Sequence, residues 1–136
     1  MGESKQHIEL VRLLKKTAEK LVGNNIKLIL ADLPEANEKP PTMIEGFRPD
    51  IYYNYRDILI VGEAKTSMDF ERMHSIKQYH AFLEHCYSFK GRAIFILAIP
   101  WTEYISAKNM LRRIVKKQGY SFEVWVINDL NKEEIL

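Results

Sequence analysis

The sequence lacks several features that would assign it to a familiar class of protein. It has one cysteine, Cys86, among 136 residues, so it can form neither an intramolecular disulfide nor a cysteine-rich zinc site. No apolar run approaches the roughly 18 residues of a membrane span, and the polar first ten residues do not resemble a signal peptide. We therefore expect an intracellular, cytoplasmic protein without a membrane partner.

A strong charge of one sign is also missing. The formal net charge is +2, so total charge does not by itself indicate a nucleic-acid partner. The composition is 46% hydrophobic and 11% aromatic, which is enough for one sizeable core, and the chain is too short for two ordinary domains. We expect residues 1–136 to form a single domain.

Apolar periodicity and turn residues predict helices and strands in the order α-β-β-β-α-β-α-β. The first helix follows Ser4 as its N-cap, and the second begins at Ser67 or Asp69. The run RAIFILAIP is continuously apolar and predicts a central strand that is covered on both faces. The expected fold is α/β, a mixed central sheet flanked by helices. The predicted helices span 4–22, 67–86 and 102–119, and the predicted strands span 26–33, 49–55, 58–66, 92–99 and 121–127.

Two carboxylates are expected to meet at one end of the second and third strands. If Arg56 and Asp57 form the turn between these strands, Asp50 lies opposite Glu63. A register one pair away would place Asp50 opposite Val61, and Asp50 would then be a diagonal neighbour of Glu63. In either case the two carboxylates lie within roughly 7–8 Å of each other.

A divalent cation would relieve the repulsion between these carboxylates. At about 4 Å and an effective dielectric near 20, they repel by roughly 4 kcal/mol. Asp50 and Glu63 are hard oxygen ligands suited to Mg²⁺ or Mn²⁺, and the backbone carbonyl of Ala64 is a third candidate ligand. Lys65 projects from the same strand face as Glu63 and can orient a metal-bound water or neutralise developing charge. This set of residues predicts phosphodiester hydrolysis.

The same residues carry a resemblance to a known family. Pro49-Asp50, twelve intervening residues and then Glu63-Ala64-Lys65 resemble the motif of the PD-(D/E)xK nuclease superfamily, which includes restriction endonucleases and archaeal-type Holliday junction resolvases. The family core, α-β-β-β-α-β, matches the predicted order over residues 4–99, about 70% of the chain. The resemblance implies a restriction-endonuclease-like core, metal binding by Asp50 and Glu63 with the Ala64 carbonyl, and a water-activating role for Lys65.

Two further site residues are implied by the resemblance. Many members of the family add an acidic residue on the first helix, for which Glu9 is the best match. Some branches have a glutamine on the helix after the third strand, and Gln78 occupies such a position. The RecB-like branch has a tyrosine four residues after that glutamine, where this chain has Phe82, so the branch stays open.

Basic residues give the expected nucleic-acid surface. Lys108, Arg112 and Lys116 are spaced to form one row on the third helix, and such a row can contact phosphates. Arg48, together with Lys39 and Arg56 around the long loop and the hairpin turn, can add to a surface that faces substrate.

The sequence thus predicts a Mg²⁺- or Mn²⁺-dependent DNA endonuclease, with a homodimer as one way to cut both strands of a duplex. Two alternatives stay open. One is an RNA endonuclease with the same metal chemistry, and the other is a non-catalytic module that retains the fold and binds nucleic acid or another partner.

Overall fold

The structure, a computed structural model, describes residues 4–36, 39–66 and 71–136, and within these ranges three helices flank one six-stranded sheet. Two short 3₁₀-helices, Gly23–Leu28 and Trp101–Glu103, join these elements. The helices are α1 (Lys5–Val22), α2 (Met73–Tyr87) and α3 (Tyr104–Gln118), and the strands are β1 (Leu30–Ala31), β2 (Ile51–Tyr55), β3 (Ile58–Ala64), β4 (Arg92–Ile99), β5 (Glu123–Asn128) and β6 (Glu133–Ile135).

The strands lie in chain order across the sheet, from β1 to β6. Strands β1, β2 and β3 are antiparallel, β3, β4 and β5 are parallel, and β6 returns antiparallel to β5. The predicted α/β architecture with a mixed sheet is confirmed. The parallel arrangement places the carboxyl ends of β3, β4 and β5 at the same end of the sheet, and Glu63, Ala64 and Lys65 lie at this end.

Strand β4 lies at the centre and is buried on both faces, as predicted. Phe95 and Leu97 pack in the cluster that includes side chains of α2 and α3, whereas Ile94 and Ile96 pack in the cluster that includes those of α1. This alternation follows from the two-residue period of a strand.

Helix α1 packs closely on the hairpin of β2 and β3. The Ser4 hydroxyl accepts a hydrogen bond from the His7 amide at 3.1 Å, which confirms the predicted N-cap. A Cβ atom at Gly62 would lie 3.0 Å from the Ile51 Cβ and 3.3 Å from a methyl group of Leu14, so glycine permits the close approach of the helix. Within the described ranges, no helix has both the length and the apolarity needed to cross a membrane.

Both edge strands differ from the prediction. The sequence predicts the first strand over 26–33, but residues 23–28 form a 3₁₀-helix and only Leu30–Ala31 pair with β2. Ile26 and Leu28 are exposed, so these apolar side chains extend away from the core instead of forming a strand face. Strand β6 is absent from the predicted order, because its sequence, EEI, is too short and too polar to show strand periodicity.

The second helix also differs in part. It begins at Met73, and the predicted start at Ser67 or Asp69, with Phe70, lies outside the described residues. Helical spacing predicts that Met73 faces the core, but 71% of it is exposed. This prediction is wrong, because Met73 lies at the very start of α2 and its side chain projects into solvent.

Candidate active site

The hairpin register places the two predicted carboxylates side by side. Ile51 pairs with Gly62, and the Asp50 amide donates a hydrogen bond to the Gly62 carbonyl at 3.0 Å, so the next position opposite Asp50 is Glu63. Arg56 adopts the left-handed backbone conformation, with φ of 54°, in the two-residue turn. The register predicted from the turn is therefore confirmed.

Asp50 is held in a buried position by backbone and side-chain contacts. Only 5% of the residue is exposed. Its Oδ2 accepts a hydrogen bond from the Ala64 amide at 2.9 Å and lies 3.4 Å from Nε2 of His7 on α1. Ala64 thus contributes its N–H to the site, and a ligand role for its carbonyl stays a prediction.

Glu63 is a buried carboxyl group that its surroundings satisfy only in part. It is 4% exposed, and its Oε2 lies 3.2 Å from the Lys65 ammonium. Its Oε1 is buried and has no hydrogen-bond partner within the described residues. Burial raises the pKa of Glu63 well above the ordinary carboxyl value, and the neighbouring Asp50 raises it further, whereas Lys65 acts in the opposite direction.

Lys65 is fixed by contacts with two strands and one helix. Its ammonium donates to Oε1 of Gln78 on α2 as well as pairing with Glu63. Its backbone amide donates to the Ala98 carbonyl on β4 at 3.0 Å. The structure therefore brings Asp50, Glu63, Lys65 and Gln78 together, as the sequence predicts for each of them.

Glu9 is not brought to this cluster. It is exposed and forms an ion pair with Arg12 at 3.0 Å, and Arg12 also binds Glu35. Helix α1 instead presents His7 to Asp50, a residue that sequence reasoning missed. Helical periodicity could have predicted this role of His7, because His7 lies one turn before the buried Leu10 and Val11 and on the same side of α1.

The predicted basic row is partly neutralised. Lys108 pairs with Glu134 of β6 at 2.9 Å and lies over the Tyr104 ring, and Arg112 pairs with the same carboxylate. Lys116 is exposed, as is Arg48, which precedes the Pro49-Asp50 dipeptide. Of the predicted nucleic-acid contacts, Lys116 and Arg48 are thus the exposed cations that form no ion pair within the described residues.

The donor set suits a hard cation that keeps most of its water. Mg²⁺ commonly binds through one or two carboxylates and completes its shell with waters and substrate phosphates. The described residues contain no group of three or more His, Cys, Asp or Glu side chains arranged to hold an ion. The fit to Mg²⁺ therefore rests on two carboxylates, one of which has an oxygen without a hydrogen bond in the described part of the chain.

No family model matches this chain, and comparisons with curated proteins and with solved structures found no similar protein.

Proposed function

We propose that this domain is a metal-dependent endonuclease that hydrolyses phosphodiester bonds in DNA, with the arrangement of the PD-(D/E)xK nucleases. The observation that supports this most is the buried pair of Asp50 and Glu63, in which one Glu63 oxygen has no hydrogen bond within the described residues and the Lys65 ammonium lies at 3.2 Å from the other. Two adjacent buried carboxylates are unfavourable unless a cation compensates them.

Each residue has a role that follows from its contacts. Asp50 and Glu63 hold the cation, which when bound supplies Lewis acidity and lowers the pKa of a water molecule. The Ala64 amide fixes Asp50 through its hydrogen bond of 2.9 Å. Lys65, oriented by Glu63 and Gln78, places its ammonium where it can donate to the attacking water or to a phosphate oxygen.

The choice of DNA over RNA rests on the resemblance, and an RNA endonuclease is the nearest alternative. One such site cuts one strand, so symmetrical cleavage of a duplex or a junction requires two copies of the chain. Arg48 lies next to the site in sequence, and it is the cation best placed for a first contact with substrate.

The test compares the wild type with Asp50→Ala and, as a matched control from the same hairpin, Asp57→Ala. Labelled duplex, single-stranded and four-way-junction DNA, together with RNA, are incubated with Mg²⁺, Mn²⁺ or EDTA. We expect metal-dependent cleavage of DNA by the wild type and the control, and none by Asp50→Ala. Absence of cleavage on every substrate would contradict the proposed nuclease activity. Full activity of Asp50→Ala would contradict the assignment of the active site to the Asp50 and Glu63 pair.

A second readout does not depend on turnover. A ligand that binds only the folded state stabilises it by RT ln(1 + [L]/Kd), which is about 1.4 kcal/mol at ten times Kd. We expect Mg²⁺ to raise the melting temperature of the wild type and of Asp57→Ala, but not that of Asp50→Ala. Nucleic-acid binding without cleavage and without this shift would favour the non-catalytic module.

A further inference from the structure

A groove lies beside β2 at the end of the strand that is distant from the carboxylates. We call it the β2 groove, and its volume is about 280 Å³. Its walls come from the 3₁₀-helix after α1, from β1, from the loop that precedes β2, and from β2 itself. The polar and aromatic side chains that line it are Lys27, Lys39, Thr42, Tyr52, Asn54 and Tyr55.

The charge of the β2 groove suits an anion. Lys27 and Lys39 are exposed, and neither forms an ion pair with another residue in the described ranges. No acidic residue of the described chain lines the groove. At its end, the Arg56 guanidinium lies 5.2 Å from the centre of the Tyr55 ring and adds a third cation. Such an arrangement is typical of contacts with phosphates.

The floor of the β2 groove offers an aromatic surface and hydrogen-bonding groups. The Asn54 amide donates to the Tyr52 hydroxyl at 3.3 Å, and this hydroxyl lies 3.3 Å from Nε2 of His85, so the Tyr52 ring is held in place. Tyr55 is only half-buried. An accessible ring beside cations is the combination that single-stranded nucleic acids use for stacking.

Two groove residues, Tyr52 and Asn54, project from the face of β2 on which alternation also places Asp50, whereas Tyr55 projects from the other face. Asp50, Tyr52 and Asn54 alternate along the chain, and alternate residues of a strand project from one face. Tyr52 pairs with Val61, and both belong to the core cluster on the α2 side, where Gln78 meets Lys65. The four residues from Asp50 to Asn54 span about 14 Å.

The loop before β2 joins the two sites. Lys39 and Thr42 line the groove, and the exposed Arg48 lies two residues before Asp50. Of the acidic residues in this loop, Glu45 lines a different cleft with side chains of α2, and Glu35 pairs with Arg12 of α1. The cations of the loop thus lead from the groove toward the carboxylates.

We propose that the β2 groove binds a nucleic-acid strand about four nucleotides from the bond that is cut. The estimate follows from the span of about 14 Å and an advance of about 3.4 Å per nucleotide of a strand in a duplex. This inference rests on the proposed nuclease activity for its position relative to the cut, whereas binding in the groove is measured without cleavage.

The binding test uses the full chain in EDTA, where cleavage is excluded, and fluorescence anisotropy with labelled oligonucleotides. The variant Lys27→Ala/Lys39→Ala is compared with Lys20→Ala/Lys132→Ala, which removes two exposed lysines that line another cleft. In a plot of log K against the logarithm of salt concentration, we expect the groove variant to have a shallower slope than the wild type. The slope should fall in magnitude by about 1.4 on single strands or about 1.8 on a duplex. The control is expected to keep the wild-type slope.

The cleavage test uses substrates shortened stepwise on either side of the mapped cut. We expect the wild type to lose at least tenfold in kcat/KM when fewer than about four nucleotides remain on one side, and the groove variant to show no such step. If both double variants have the same salt-dependence slope, or if the wild type binds no oligonucleotide, the proposed nucleic-acid binding by the groove is wrong. If the slope changes as expected but the wild type cuts nothing, the nuclease proposal and the position relative to a cut fail, and only groove binding survives.

Discussion

Replacing Glu63 with glutamine should stabilise the metal-free protein while it abolishes the response to Mg²⁺. The side chain is buried, its Oε1 lacks a hydrogen bond within the described residues, and its pKa is raised by burial and by Asp50. An amide of nearly the same shape removes the charge and can donate to Asp50. The substitution therefore separates a metal ligand from a structural ion pair.

The expected change in stability is the balance of three energies: the attraction of Glu63 to Lys65, its repulsion by Asp50, and the cost of burying its charge. At an effective dielectric of about 20, Lys65 at 3.2 Å attracts the Glu63 carboxylate by about 5 kcal/mol, and Asp50, about 5 Å away across the strand pair, repels it by about 3 kcal/mol. Burying a carboxylate costs several kcal/mol, which exceeds the remaining attraction of about 2 kcal/mol. We expect Glu63→Gln to raise the free energy of unfolding in EDTA at pH 8 by about 1–3 kcal/mol.

The pH dependence has a definite sign. Because the pKa of Glu63 is higher in the folded state than in the unfolded chain, the folded protein binds the proton more tightly. The cost of the charge is absent below the ordinary carboxyl pKa of about 4.3 and appears as the pH rises through the raised value. The stability difference between the variant and the wild type should therefore be small at pH 5 and larger at pH 8.

Urea unfolding in EDTA and in Mg²⁺, at both pH values, measures these differences. Glu133→Gln is the control, because it makes the same chemical change at an exposed position on β6. Mg²⁺ should stabilise the wild type and the control but not Glu63→Gln. The reasoning is refuted if Glu63→Gln is less stable than the wild type in EDTA at pH 8 and responds equally to Mg²⁺, because Glu63 would then be a structural partner of Lys65.

Three more outcomes follow from the contacts. Lys65→Ala should lower the rate of single-turnover cleavage by about 100-fold or more. Gln78→Ala should lower this rate by less, because Lys65 keeps its pairing with Glu63, and equal losses would contradict this order. Gly62→Ala should lower the free energy of unfolding in urea by about 1–3 kcal/mol, because the added Cβ meets buried side chains, and an unchanged midpoint would contradict it. Burial raises the pKa of Cys86 to about 12, so a thiol reagent at pH 8 should label it only when the chain unfolds; rapid labelling of the native protein would contradict its burial.

The central hairpin is predictable from sequence because two local signals agree there. The turn after Tyr55 fixes the register, and alternation then fixes which side chains share a face, so Asp50 and Glu63 can be paired from the sequence alone. The edges of the sheet carry no comparable signal. Strand β1 pairs through only two residues, and β6 is held by pairing with β5 and by the Glu134 ion pairs, which are long-range interactions.

The positions of Glu9 and His7 show that helical periodicity could have improved the prediction of which α1 residue lies beside Asp50. On α1 the buried residues Leu10 and Leu14 face the hairpin, and the position one turn earlier on that stripe is residue 7. Glu9 is rotated away from this stripe and meets Arg12 three residues later, which is the usual reach of a surface ion pair. An acidic residue is expected from the family pattern alone, whereas the apolar stripe ranks the candidates by the direction in which each side chain points. The group that α1 brings to Asp50 is therefore an imidazole, whose Nε2 lies 3.4 Å from the Asp50 carboxylate.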